Sequence, residues 1–568
     1  MTFSQKQAKF LYEFGPFRLD TAERLLLRNG GRVHLTNKAF DLLLVLVEAN
    51  GRLIEAEALE RQVWDVFIDK ATLPKYISML RNALGDSKTP RLYIETVPKR
   101  GYRFKHEVRK LRWAMIVLPF QPIGEEGGER LGLGLASAVI SRLVSMDIRD
   151  VVIRPVSAVI PYDTPNQDLM AAAREQNADY AVAGRFQRIG KRVSVEVDFL
   201  RVYDRTKFWT KKYTEEDTLN LSVQEALADY IAREVAPHFG KEAARDEARV
   251  EGDFTTSTEA YQLYVDGRFH WNRFTRAGFK EAIKCFRQAI NIDPKYAKAY
   301  AGIADCWIWM GIYSLLPPDK TFHRAYRWAK KALSIYPGLS GAYTTLGFIE
   351  MFVRRDQAAA ARHFERAIEL YENNIKAHLG YSLLHMALKH PDRALTEIDK
   401  AIDIFSASLI NKVTKAMILY QAGRNADALT QLDRTIKFDE NFDAIYHLQS
   451  LVFAQKGDYK RAIEAARTAI VKSKNNLLNH MALAYAFAKK GKKSEARRIV
   501  KRMEALEAEN WYVSPFHLAT VYSALGERER AYKRLEQARD RHDPWFIWLS
   551  TEPRLDTLRA DPHFAEHF

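Results

Sequence analysis

The sequence predicts a multidomain protein, α+β over its first 240 residues and all-α over the rest. Three observations carry this reading. Leu73, Ile77, Leu80 and Leu84 recur at helical spacing just ahead of two β-rich runs that flank Pro98–Gly101. Between 108 and 240, strand-length apolar runs alternate with helical ones. From 259 onward an alanine followed by apolar residues returns at intervals of 34 or 35, with one interval of 43, which is the mark of an α-solenoid.

With 568 residues, 47% of them hydrophobic, the chain can bury several cores, and three or four domains are expected. Two cysteines, Cys285 and Cys306, exclude a disulfide framework and the usual cysteine-based zinc site. They suit a reducing compartment. The first fourteen residues lack the apolar centre of a signal peptide, and no run of about 18 apolar residues occurs. The run after Val108–Arg112, Trp113–Phe120, has strand length. A cytoplasmic protein without a membrane span is expected.

Residues 1–107 form the first expected domain. Phe14–Leu19 and Leu25–Arg28 alternate like short strands, and Thr36 is placed to cap a helix over Ala39–Glu48. Gly51 stops that helix, Glu57–Val66 supplies a second, and Ala71–Leu84 a third that ends at Gly85. Ile94, Val97, Tyr102 and Phe104 then form a hairpin with Lys99 and Arg100 at its tip. Residues 71–112 hold eleven Lys or Arg against three acids, a net +8, whereas residues 1–70 hold ten of each. Half of the chain's +16 is thus concentrated in this stretch. A solvated basic surface beside a linker would explain the charge but not its helix-plus-hairpin setting. Charge so placed is what a phosphate-binding face requires.

These residues resemble a family. YEFGPFRLDTAERLLLRNGGRVHLTNKAFDLLLVLVEANGRLI resembles the N-terminal sheet and first helix of the OmpR/PhoB-type winged helix, ISMLRNALGD its recognition helix, and RLYIETVPKRGYRF its wing. The resemblance implies that Ala71–Leu84 enters the major groove of duplex DNA while the wing touches the minor groove or backbone. The expected DNA-binding residues are Thr72, Lys75, Ser78, Met79, Arg81, Asn82, Lys99, Arg100 and Arg103. Asn82 can pair with adenine and Met79 can meet a thymine methyl. Met79, Asn82 and Ala83 stand where the family often has a basic residue, which leaves more of the phosphate grip to Lys75, Arg81 and the wing.

Residues 108–240 read as strand, helix, strand, helix, a three-strand meander and a closing helix, a compact α/β domain. The run from Asn177 to Tyr213 resembles the N-terminal domain of the periplasmic TolB protein, a likeness that carries no catalytic residues. The glycine-rich Gly124–Gly134 lacks the Lys-Ser/Thr of a phosphate loop and holds three glutamates, a weak basis for a nucleotide-sensing regulator. Asp198 in the meander reads as a solvated or paired carboxylate. Residues 241–258 are charged, then Ser/Thr-rich, and suit a linker or helical extension.

Residues 259–568 repeat. The alanines are Ala282, Ala325, Ala360, Ala394, Ala428, Ala462, Ala496 and Ala531, and the fullest unit adds Phe286, Ala289 and Pro294. This is the tetratricopeptide pattern, here about eight helix pairs with a C-terminal cap from Pro544. By resemblance to that family, the first helix of each pair lines a concave wall. Trp309, Phe348, Met351, Leu383, Met386, Met417, Tyr420, Leu451, Met481 and Tyr485 fall there and suit an apolar partner. In a register shifted by one, the same residues pack between repeats.

No HExxH, GxSxG or Walker pattern is present, and no enzyme activity or cofactor is expected. His378 and His385 share a helix face at core positions. The sequence therefore predicts a sequence-specific transcriptional regulator. Its winged helix would bind double-stranded DNA, as a homodimer on paired half-sites, and its repeats would bind RNA polymerase, another protein or an effector. The competing reading is a scaffold that assembles proteins through the repeats.

Overall fold

The computed structural model describes residues 11–568 other than 22, 30, 65–67, 70, 87–90, 124–130, 147, 149–150, 165–167, 190–191, 217–220, 240–254, 256, 273–274, 406–407 and 474–475. Most of the glycine-rich stretch and most of the expected linker therefore lie outside the described residues. The chain divides into two compact units, one of 1–154, 164–216 and 225–245, the other of 155–163, 217–224 and 246–568.

In the first unit, β1 (Leu11–Phe14), β2 (Phe17–Asp20), β3 (Leu25–Arg28) and β4 (Gly31–Val33) form an antiparallel meander. Its inward residues Phe14, Phe17 and Leu19 are fully buried. Thr36 caps α1 (Asn37–Glu48) by accepting from the Ala39 amide at 3.3 Å, as its sequence position implies. Strand β5 (Leu53–Glu55) leads into α2 (Ala56–Val63), and the expected end at Val66 lies outside the described residues. Trp64 turns extended after Val63, and its indole goes edge-on to Tyr76 at 5.3 Å. Helix α3 (Thr72–Leu84) and the hairpin β6 (Ile94–Val97) and β7 (Gly101–Phe104) follow, and β5 completes a three-strand sheet on β7.

Strand β8 (Arg109–Leu111) adds to β1 as a fifth strand of the first sheet, and one residue later β9 (Trp113–Val117) opens the α/β sheet. That region continues with β10 (Gln121–Pro122), α4 (Leu131–Ser145), β11 (Val151–Ile153), α5 (Val156–Val159, in the second unit), α6 (Leu169–Glu175), β12 (Tyr180–Ile189), β13 (Arg192–Arg201), β14 (Lys207–Glu216) and α7 (Leu221–Val235). The sheet order is β11-β9-β12-β13-β14, parallel through β12 and antiparallel beyond it. Asp198 is paired with Lys207 at 2.9 Å and accepts from Thr210. Arg18 of β2 reaches Asp179 at 3.7 Å, and Arg201 pairs with Glu23, so side chains as well as β8 join the two sheets.

The second unit stacks eight antiparallel helix pairs: α8 (Thr258–Asn272) and α9 (Arg276–Ile292), α10 (Ala297–Ile312) and α11 (Pro318–Ile335), α12 (Ser340–Ile349) and α13 (Gln357–Leu370), α14 (Ile375–Ala387) and α15 (Pro391–Ile404), α16 (Leu409–Gln421) and α17 (Asn425–Ile436), α18 (Asp443–Gln455) and α19 (Tyr459–Lys472), α20 (Leu477–Lys489) and α21 (Lys493–Ala508), α22 (Pro515–Leu525) and α23 (Arg528–Asp540). All eight periodic alanines sit on the second helix of their pair and are fully buried. A methyl is the largest group that close helix contact admits there. Phe286, Phe364 and Leu432, four residues after three of them, fill the space on the same face. First helices of successive pairs touch one another and form the inner row of the solenoid.

The C-terminal segment lies against that inner row. Tyr420 of α16 donates to Glu552 at 3.0 Å, and Glu552 is salt-bridged at 2.9 Å to Arg554, whose guanidinium lies 5.8 Å from the Tyr485 ring. Trp545 packs on His517 at 4.8 Å, and Phe546 lies under Arg355. Burial first, then the Arg554 charge, holds the His517 pKa well below its ordinary value and pushes His447 down to about 4. Both are neutral when folded, yet take up a proton near their ordinary 6.5 when unfolded. The stability they confer is therefore present above pH 6.5 and lost as pH falls toward 4. The melting temperature of the full chain should fall between pH 6.5 and 5, before most carboxylates protonate, and H517F should flatten that slope. An identical slope in the variant would refute the assignment.

Candidate nucleic-acid interface

Leu73, Ile77, Leu80 and Leu84 of α3 are each 2% exposed or less, and each contributes about 1.5–3 kcal/mol by leaving water. Their burial fixes the rotation of the helix. Lys75, Ser78, Met79 and Asn82 consequently face solvent, Met79 with 38% of its surface free, and Thr72 is half-buried in the first turn. At that end of α3 the Thr72 amide donates to the Asp69 carbonyl at 2.8 Å, and Pro74 has no N–H to offer. Gly85 closes the other end in the left-handed conformation, φ 69°.

The wing is held against α3 by two residues. Asp86 is 1% exposed, and its carboxylate accepts from the amides of Leu92 at 2.6 Å, Tyr93 at 3.2 Å and Ile94 at 2.9 Å. Arg81 donates to the Ile94 carbonyl at 3.0 Å and to the Thr96 hydroxyl at 2.7 Å. Burial, with Arg91 nearby, lowers the Arg81 pKa. At the turn, Gly101 has φ 155°, and a Cβ there would stand 2.0 Å from the Ile54 carbonyl oxygen. Only glycine lets β7 approach β5 so closely.

The nine expected DNA-binding residues thus divide. Lys75, Ser78, Met79, Asn82, Lys99 and Arg100 are exposed on one helix face and one hairpin tip. Among the described residues, Lys75, Lys99 and Arg100 have no acidic partner, so their charge is open to phosphate. Arg81, expected to grip phosphate, is instead committed to bracing the wing. Arg103 pairs with Glu95 at 3.6 Å across the hairpin, where the register sets them opposite each other. Asp86 entered the sequence reading only as one acid to subtract from a charge. Its place directly after the helix-stopping glycine was the signal that could have revealed it.

The wall expected to meet a partner is largely covered. Trp309, Phe348, Met351, Met386, Tyr420, Leu451, Met481 and Tyr485 are buried, and Leu383 and Met417 are partly so. Trp309 donates to Asp305 at 3.0 Å and packs on Phe348, while Tyr420 and Tyr485 lie under Glu552 and Arg554. This corrects the expectation of an open wall: packing between pairs and the C-terminal segment occupy it. His378 is a core residue that bonds Glu397 at 2.7 Å and the Glu372 carbonyl at 2.8 Å.

Residues 30–104 match the family described as transcriptional regulatory protein, C terminal, and 279–296 and 413–477 match tetratricopeptide-repeat families. Over 97% of its length the chain is 23% identical to the transcriptional regulator HilA of Salmonella typhi, covering 98% of that protein. The chain is a DNA-binding transcriptional regulator. The chain is also 39% identical over 75 residues to the transcriptional regulatory protein CrdR of Helicobacter pylori, a match spanning 13% of this chain and 33% of CrdR. The Klebsiella pneumoniae RstA DNA-binding domain, solved with the RstA box, is 30% identical, with 17% of this chain and 96% of that domain covered and a TM-score of 0.16. Among the described residues, no helix of this regulator is long and apolar enough to cross a membrane.

Removing the Asp86 carboxylate strands three amides beside a buried cavity. D86A should cost about 2–4 kcal/mol and abolish DNA binding without touching the exposed face. Hydrogen exchange should show protection lost at Leu92, Tyr93 and Ile94. Retained protection would refute the clamp.

Proposed function

We propose that this regulator reads a specific duplex sequence through Met79 and Asn82. Thr72, Lys75, Ser78, Lys99 and Arg100 hold phosphate, and Arg81 and Arg103 support the wing from behind. One observation supports this best: the face of α3 turned to solvent and the wing tip carry cations that have no acidic partner among the described residues, beside polar and apolar groups suited to base edges. The protein acts as a homodimer on paired half-sites, in the cytoplasm where its DNA lies, and has no enzymatic activity of its own. The solenoid carries the contact with RNA polymerase or another protein, and Tyr420 and Tyr485 reach that partner only when the segment from Pro544 gives way.

Binding of the full chain to random duplex DNA across salt, with selection of enriched sites, tests this reading. Binding should weaken steeply with salt. K99A/R100A should reduce the slope by about 1.8 in log–log terms, two phosphate contacts' worth, and leave the selected motif intact. N82A should relax the motif at one position, at a cost of about 1–3 kcal/mol. A steep slope without any motif would favour the scaffold reading.

A further inference from the structure

Where α9 of the first helix pair meets α10 and α11 of the second, an open groove of about 490 Å³ is lined by Arg287 of α9, Trp307 of α10, and Arg324, Arg327, Trp328 and Lys331 of α11. Four cations line it and no acid does. Arg287, Arg324, Arg327 and Lys331 are exposed, and none forms an ion pair among the described residues. Spacings of three and four residues put the α11 side chains on one face of the helix. That arrangement holds like charges together, which is unfavourable unless an anion neutralises them.

The groove also has an aromatic floor. The Arg324 guanidinium lies over the Trp307 ring, 4.4 Å from its centre. Trp328 rests at 5.7 Å on Tyr300, whose hydroxyl donates to the Pro294 carbonyl at 3.2 Å, so the second indole is held in place. The Trp307 indole nitrogen is buried without a hydrogen-bond partner.

We propose that this groove binds a nucleoside polyphosphate. The phosphates lie among Arg287, Arg327 and Lys331, and the base or ribose lies on the indoles. Concentrated charge alone would suit any polyanion. Two indoles in the same lining suit a planar apolar moiety as well, and the volume fits a single small ligand. The site is separate from the winged helix, and the proposal is independent of the DNA sequence read there.

Equilibrium dialysis of the full chain with ATP and GTP tests this, alongside adenosine, guanosine, inorganic triphosphate and poly-glutamate. A nucleoside triphosphate should bind one per chain, less tightly as ionic strength rises. R327A/K331A should weaken it at least tenfold, while K489A/K490A, which removes equal charge elsewhere, should not. These side chains are exposed, so the melting temperature of each variant should match that of the native chain. The nucleosides and triphosphate should each bind at least tenfold more weakly than the nucleotide. Triphosphate binding as tightly as ATP would reduce the groove to an anion site and overturn the proposal. So would tighter binding of poly-glutamate, equal loss in the two variants, or no nucleotide binding at all.

Discussion

The geometry of the surface formed by α3 and the wing depends on one buried carboxylate. Asp86 gathers three consecutive amides of the wing immediately after the helix stop, so the first wing strand is referenced to α3 rather than to solvent. Arg81 repeats the connection from the helix side. Charge-assisted bonds of this kind are roughly twice as strong as neutral ones, and several acting on one strand leave it a single position. The exposed cations at the tip can then be long and mobile, because the backbone beneath them is not.

The helix periods, the wing strands, the caps at Thr36 and Gly85 and the eight alanine-marked pairs were all legible in the sequence. Each follows from local pattern: apolar spacing, a capping hydroxyl, a residue that tolerates the left-handed region. What escaped depends on contacts between residues distant in sequence. The Glu95–Arg103 register fixes which arginine is neutralised, and nothing near Arg81 in the chain reveals that Thr96 takes its guanidinium. The same holds for the inner row. Tyr420 and Tyr485 read as partner-binding aromatics because their buried neighbours, Glu552 and Arg554, lie far away in sequence.

The solenoid shows how repetition and exception share one chain. The alanines recur because every pair must solve the same packing problem. The basic groove lies where α9 of the first pair meets α10 and α11 of the second, beside the 43-residue interval in the repeat. Side chains that break a repeat without serving its core are those free to serve a ligand.

Strand β8 has a consequence for modularity. It is the fifth strand of the winged-helix sheet although it follows the residues that resemble that family, and one residue separates it from the α/β sheet. A cut at residue 107 would peel this strand away and leave β1 an open edge, inviting intermolecular pairing. The DNA reader is therefore not a cassette that can be lifted from this chain at its family boundary. A graft onto another protein would have to carry Arg109–Leu111 with it.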